Sequence, residues 1–198
     1  MKSKCLALSV VVMSVSTVAF AQSGGHEHLA QPDPKETVAK SDTQKAFDEL
    51  KTLAGSWEGP VKTDPQVPEM AGKRSQVTLR VTSMGHTLMH DLKLDGRPDN
   101  PITMLVVDAD RLLLTHYCDA DNRPRMLGKR SPDGKTVEFD FVDVSGKLQY
   151  GHMHHAVFTF VDANHHIEEW TWMTPDDKLM RVRFDLQRTT AAAGSPGD

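Results

Sequence analysis

The residues able to do chemistry cluster in the second half of this 198-residue chain, and they fall at strand spacing. Over 112–118, Leu112, Leu114, His116 and Cys118 share one parity, so an imidazole travels with an apolar row. His152 and His154 likewise go with Ala156, Phe158 and Phe160, and Glu168 goes with Trp170 and Trp172. If those rows face inward, three imidazoles, one acid and two indoles gather in one place. Apolar walls with a few placed polar groups suit a flat or amphipathic organic ligand. Arg125 is the expected rim partner for an anionic ligand group, because a guanidinium fork matches a carboxylate. His90, alternating with Leu88 and Leu92, is a weaker member of the set.

Two other chemistries use the same residues. His152-x-His154 with His116 and Glu168 could complete a four-ligand metal shell. Cys118 beside a histidine could serve as a nucleophile if the thiol pKa were lowered. Each side chain also has a plainer reading as a hydrogen-bonded or core-filling residue, and His165 and His166 are expected in a turn. Met153, Val157 and Val161 make the other face of their segment apolar too, so His155 is the alternative inward residue.

The elements that must position these groups read as strands. Alternating or apolar runs cover 76–84, 86–94, 102–107, 112–118, 123–129, 137–142, 151–161, 166–173 and 179–187. Asp95-Gly96, Asp108-Ala109-Asp110, Pro132-Asp133-Gly134 and Pro175-Asp176-Asp177 are among the turns between them. Before them an amphipathic helix is expected over 43–54, capped by Ser41 or Asp42, with Phe47, Leu50 and Leu53 on one stripe. Leu53-Ala54-Gly55-Ser56-Trp57-Glu58-Gly59 then hands the helix over to the sheet, and 60–72, broken by prolines, reads as a loop. About ten strands in an antiparallel meander hide their edges by closing, so the expected fold is an all-β up-and-down barrel with a short N-terminal helix docked at one end. Trp57 is expected to plug that end beneath a basic side chain, Arg188.

Composition sets the outer limits. Lys2, Lys4, the apolar run 5–18 and Ala19-Phe20-Ala21 read as a signal peptide over 1–21, which implies a periplasmic or secreted protein cleaved near Ala21. The apolar run is too short to span a bilayer, so no transmembrane segment is expected in the mature chain. Removing the signal lowers Lys+Arg from 23 to 21 against 27 Asp+Glu, and the formal charge moves from −4 to −6. That balance argues against a nucleic-acid partner. Cys118 is left as the single cysteine, so an ordinary core must hold the fold. Residues 22–42 are poor in apolar groups and read as a disordered leader, 43–188 as one domain, and 189–198 as a disordered tail. Within the leader, His26-Glu27-His28 reads as part of a solvated tail with incidental histidines, and Gly24-Gly25-His26 would become an amino-terminal copper or nickel chelator if cleavage follows Ser23.

Gly55-Ser56-Trp57, followed by a meander ending in Phe184-Asp185-Leu186-Gln187-Arg188, resembles the lipocalin-like (calycin) barrels. Their first strand opens with Gly-x-Trp, and an Arg of the last strand often covers that Trp. Leu114-Thr115-His116-Tyr117-Cys118, Arg123-Pro124-Arg125-Met126, Gly151-His152-Met153-His154-His155 and Glu169-Trp170-Thr171-Trp172 are more specifically similar to a family of exported bacterial lipocalin-like proteins of unassigned function. Gly55-Ser56-Trp57-Glu58-Gly59 also resembles the opening of nitrobindin-type haem barrels, whose haem-ligating His lies near the C-terminal strands. Residues 180–188 contain no histidine, which argues against haem and leaves the cofactor unassigned. Three function classes follow: a barrel binding a small apolar or aromatic ligand, a histidine-based metal-dependent or acid-base enzyme in the same lumen, and an envelope protein with a filled barrel.

Overall fold

A computed structural model of the protein describes residues 39–189. The expected signal peptide, most of the expected leader with its histidines, and the tail beyond Thr189 lie outside the described residues. Helix α1 (Asp42–Thr52) starts at Ser41, whose hydroxyl accepts the Gln44 N–H at 3.1 Å. Ala46, Phe47 and Leu50 are its buried residues; Phe47 and Leu50 belong to the expected stripe, and Leu53, its third member, is buried at the C-cap. Ten strands follow: β1 (Gly55–Asp64), β2 (Arg74–Thr82), β3 (Thr87–Leu94), β4 (Ile102–Asp108), β5 (Arg111–Tyr117), β6 (Asn122–Arg130), β7 (Thr136–Gly146), β8 (His152–Asp162), β9 (His165–Met173) and β10 (Leu179–Arg188). Each pairs antiparallel with its chain neighbours, and β1 pairs with both β2 and β10. The sheet is therefore a closed up-and-down barrel with no free edge.

The sequence places a loop where β1 continues. Its second half, from Pro60 to Asp64, stays in the sheet, because Pro60 is exposed and Val61 resumes bonding to the Lys73 carbonyl at 3.0 Å. Gly59 permits this path. A Cβ there would sit 1.8 Å from the Asp185 carbonyl oxygen on β10.

Helix α1 closes one end of the barrel. Trp57 is buried beside it and donates its indole N–H to the Leu53 carbonyl at 2.8 Å. The Arg188 guanidinium lies 4.0 Å from the Trp57 ring and donates to the carbonyls of Ala54 (2.8 Å), Thr52 (3.0 Å) and Ala163 (2.9 Å). The expected plug is thus present, and Arg188 also satisfies carbonyls at the helix C-terminus. Leu88, Leu105, Leu114, Phe139 and Phe158 fill the barrel above it.

One irregularity decides where the histidines go. On β8 the register shifts between Met153, opposite Trp172, and His155, opposite Thr171, so His154 is an extra residue. Alternation inverts across this bulge. Pairing between β7 and β8 also stops at Asp140 and His155, although β7 runs on to Gly146.

Candidate functional site

The end of the barrel away from α1 holds a cavity of about 980 Å³. Its walls are apolar: Leu92 and Leu94 of β3, Met153 of β8, Trp172 of β9, and Met180, Val182 and Phe184 of β10. Its mouth carries Glu69, Lys73, Asp95, Arg97, Asp99 and Asp119. His90, His116 and Trp170 form its floor, with Cys118 on the wall.

Strand register assembles that floor. Thr103 pairs with His90 across β3 and β4, and with His116 across β4 and β5, so the three stand in one row on adjacent strands. The Thr103 hydroxyl lies 2.8 Å from His116 Nδ1. Across the lumen, Trp170 tilts against both rings, with centroids 5.6 Å from His90 and 5.7 Å from His116. Burial, reinforced by the neighbouring His90, pushes the His116 pKa down to about 3, so this imidazole is neutral at physiological pH.

Below the floor sits Glu168, which is fully buried. Its carboxylate accepts three N–H bonds: from His90 Nε2 (2.9 Å), His166 Nε2 (3.0 Å) and Trp170 Nε1 (3.0 Å). Burial alone would raise its pKa, but the charge and hydrogen bonding of His90 and His166 outweigh that and hold the carboxyl well below the usual range. The far nitrogens, His90 Nδ1 and His166 Nδ1, are buried without a partner. His166 also packs edge-on to Trp57, with centroids 4.2 Å apart, which ties the buried acid to the plug at the closed end.

Five of the residues singled out in the sequence therefore meet: His90, His116 and Trp170 at the floor, Glu168 directly beneath it, and Trp172 on the wall above. Three do not. His152 and His154 are not part of the cavity lining; they pack against Phe141 where β7 and β8 part, at 4.8 Å each, His154 stacked and His152 tilted, with His154 Nδ1 3.4 Å from His152 Nε2. The β8 bulge gives Met153 the inward place that simple alternation assigns to its histidine neighbours. Arg125 is exposed on the outer face and pairs bidentately with Asp143, its Nε donating at 2.7 Å, so it is not at the rim. The alternative inward residue, His155, is also outside, 2.8 Å from Glu138 Oε1.

These positions separate the proposed metal ligands. Glu168 is enclosed by N–H donors, His116 faces the cavity, and His152 and His154 stand elsewhere. Among the described residues, the group of metal-ligating type that converges is Glu138, Asp140 and His155, on the exterior of β7 and β8. Cys118 is half-buried, and burial raises its thiol pKa, which opposes the thiolate form that a nucleophile needs. The site residues missed in the sequence are His166 and Thr103. His166 shares the parity of Glu168 and Trp170, a signal that its closeness to a turn obscured.

No protein-family model and no curated protein matches the chain. Among solved structures, Rv2717c from M. tuberculosis is similar at a TM-score of 0.55 and 16% identity, covering 73% of this chain and 97% of that one. A protein of unknown function from the DUF3598 family of Nostoc punctiforme matches at a TM-score of 0.49 and 10% identity, over 71% of this chain. The chain spans about half that protein's length, 49%. Likeness at this identity concerns the fold, and a ten-strand antiparallel barrel is consistent with a calycin-like architecture. No described helix is long and apolar enough to cross a membrane.

Proposed function

We propose that the protein is an exported lipocalin-like barrel that binds a small, largely apolar or aromatic molecule in its lumen. The observation that carries this reading is the cavity itself: about 980 Å³, walled by Leu, Met, Phe, Val and Trp side chains, with His90 and His116 at its floor and charged side chains at its mouth. A filled-barrel structural protein has no use for such a space. Cleavage near Ala21, a leader over 22–42 and a single binding domain over 43–188 belong to the same proposal, because the signal pattern places the barrel where it meets envelope or external solutes.

Native mass spectrometry of the protein released from its own envelope tests this. The expected result is a retained organic ligand, with Trp172→Ala losing it while the far-ultraviolet circular dichroism spectrum stays that of the intact barrel. Protein that carries no ligand and takes up no apolar aromatic probe in calorimetric titration would overturn the reading.

A further inference from the structure

Resting on that binding reading, we infer that the ligand is a neutral aromatic molecule that buries a hydrogen-bond donor, a phenolic hydroxyl or a ring N–H, against the His116 imidazole of the floor rather than a carboxylate. Three observations lead there. The ring nitrogen on offer at the floor belongs to His116, which lines the cavity and is 4% exposed. The Thr103 hydroxyl engages Nδ1 of His116, and with Nδ1–H donating to that oxygen, Nε2 is left as the acceptor for an occupant. The nitrogen of a neutral imidazole that lacks a proton is an acceptor, so the group that pairs with it must be a donor.

The second observation is charge. His116 remains uncharged, Glu168 lies ionised behind His90, and Arg125 is committed to Asp143 on the outer face. The cations that line the cavity, Lys73 and Arg97, stand at the mouth among four carboxylates, and Arg97 lies 3.5 Å from Asp119. A carboxylate driven to the floor would meet an uncharged His116, with the Glu168 carboxylate close behind, in a poorly screened interior.

Shape is the third. Trp170 at the floor and Trp172 on the wall both line the cavity, and Trp170 is held by its own indole bond to Glu168, so one flat face of the cavity is fixed in advance. A fixed aromatic face favours a planar partner and costs little to order on binding.

Calorimetric titration of the full chain with 2-naphthol, 2-methoxynaphthalene and 2-naphthoate at neutral pH separates these terms. We expect 2-naphthol to bind about tenfold or more tighter than either analogue, since one buried hydrogen bond is worth roughly a factor of ten. His116→Leu should erase the gap between naphthol and its methyl ether. Equal binding of naphthol and the ether, or tighter binding of naphthoate, overturns the inference and leaves the binding barrel standing. If none of the three binds, the binding reading falls as well. The wild-type ranking decides the matter even where His116→Leu fails to fold.

Discussion

At the scale of single residues, the buried acid organises the site. Glu168 accepts from three ring N–H groups, and Glu168→Gln would place an amide NH2 among them. Each buried donor left unpaired costs about 1–3 kcal/mol, so this near-isosteric change should lower stability by at least that much in urea titrations. A variant as stable as the wild type would mean the three donors do not depend on the charge. His116 makes a prediction about pH. Its folded pKa, about 3, lies below the unfolded value of 6.5, so between these values the unfolded chain binds more protons and stability falls as pH is lowered. The slope approaches about 1.4 kcal/mol per pH unit well inside that window, and His116→Phe should remove it. His152 and His154, also pushed down by burial but partly exposed, add smaller, solvent-screened slopes. Glu168 has the opposite kind of group and the same sign: its folded pKa is depressed below 4.5, so its contribution is present above 4.5 and is lost as acid titrates it. An acid limb unchanged by His116→Phe would contradict this account. Parity made His116, Glu168 and Trp170 legible in the sequence, whereas His154 was misplaced because a one-residue bulge leaves no mark on hydrophobic alternation. Arg125 was misassigned for a different reason. Its partner Asp143 lies across a strand pair, and cross-strand pairing depends on register.

At the scale of elements, the handover from α1 to β1 determines whether the barrel closes. The helix, its stripe and the role of Trp57 were legible because period and residue size both point the same way there. The continuation of β1 through Pro60 was not, since proline ordinarily signals a break and only an exposed position tolerates it. Trp57→Ala should cost about 3–5 kcal/mol, the usual price of truncating a buried aromatic. Arg188→Ala should cost less, yet more than a cation over an indole alone, because three carbonyls also lose a donor. Denaturant midpoints that rank the two variants the other way round would show that Arg188, not Trp57, holds the end shut. Gly59→Ala is the sharper probe of closure. Its Cβ cannot occupy space 1.8 Å from the Asp185 carbonyl, and backbone cannot swing aside as a side chain does. The expected outcome is early loss of amide protection along β1 and β10 in hydrogen exchange, with β4 to β6 retaining theirs longer. Uniform protection in this variant would mean the two strands can separate without consequence.

At the scale of the whole molecule, the barrel divides its labour between its ends. Trp57, α1 and Arg188 seal one, while the other is left open above a polar floor, and the His166 contact with Trp57 joins the sealed end to the buried acid. Closure makes every strand depend on two neighbours, so the ring should unfold as one cooperative unit even though its apolar contacts are concentrated toward the helix end. Closure itself was legible in the sequence from the count of strands and the shortness of their turns. The depth at which the core stops and the cavity begins was not, because it depends on how far the side chains of ten strands reach across a shared lumen. This arrangement makes a prediction about ligand and heat together. A ligand that binds only the folded barrel at about 100 times its Kd adds roughly 2.7 kcal/mol to stability. For a domain of this size, about 1 kcal/mol moves Tm by roughly 2–4 °C, so saturating 2-naphthol should raise the calorimetric midpoint by about 5–10 °C. The transition should shift as a single peak, since the cavity floor and the plugged end share the same strands. A peak that splits, with only part of the heat moving, would show that the open end melts independently of the sealed one and that the ring is not a single cooperative unit.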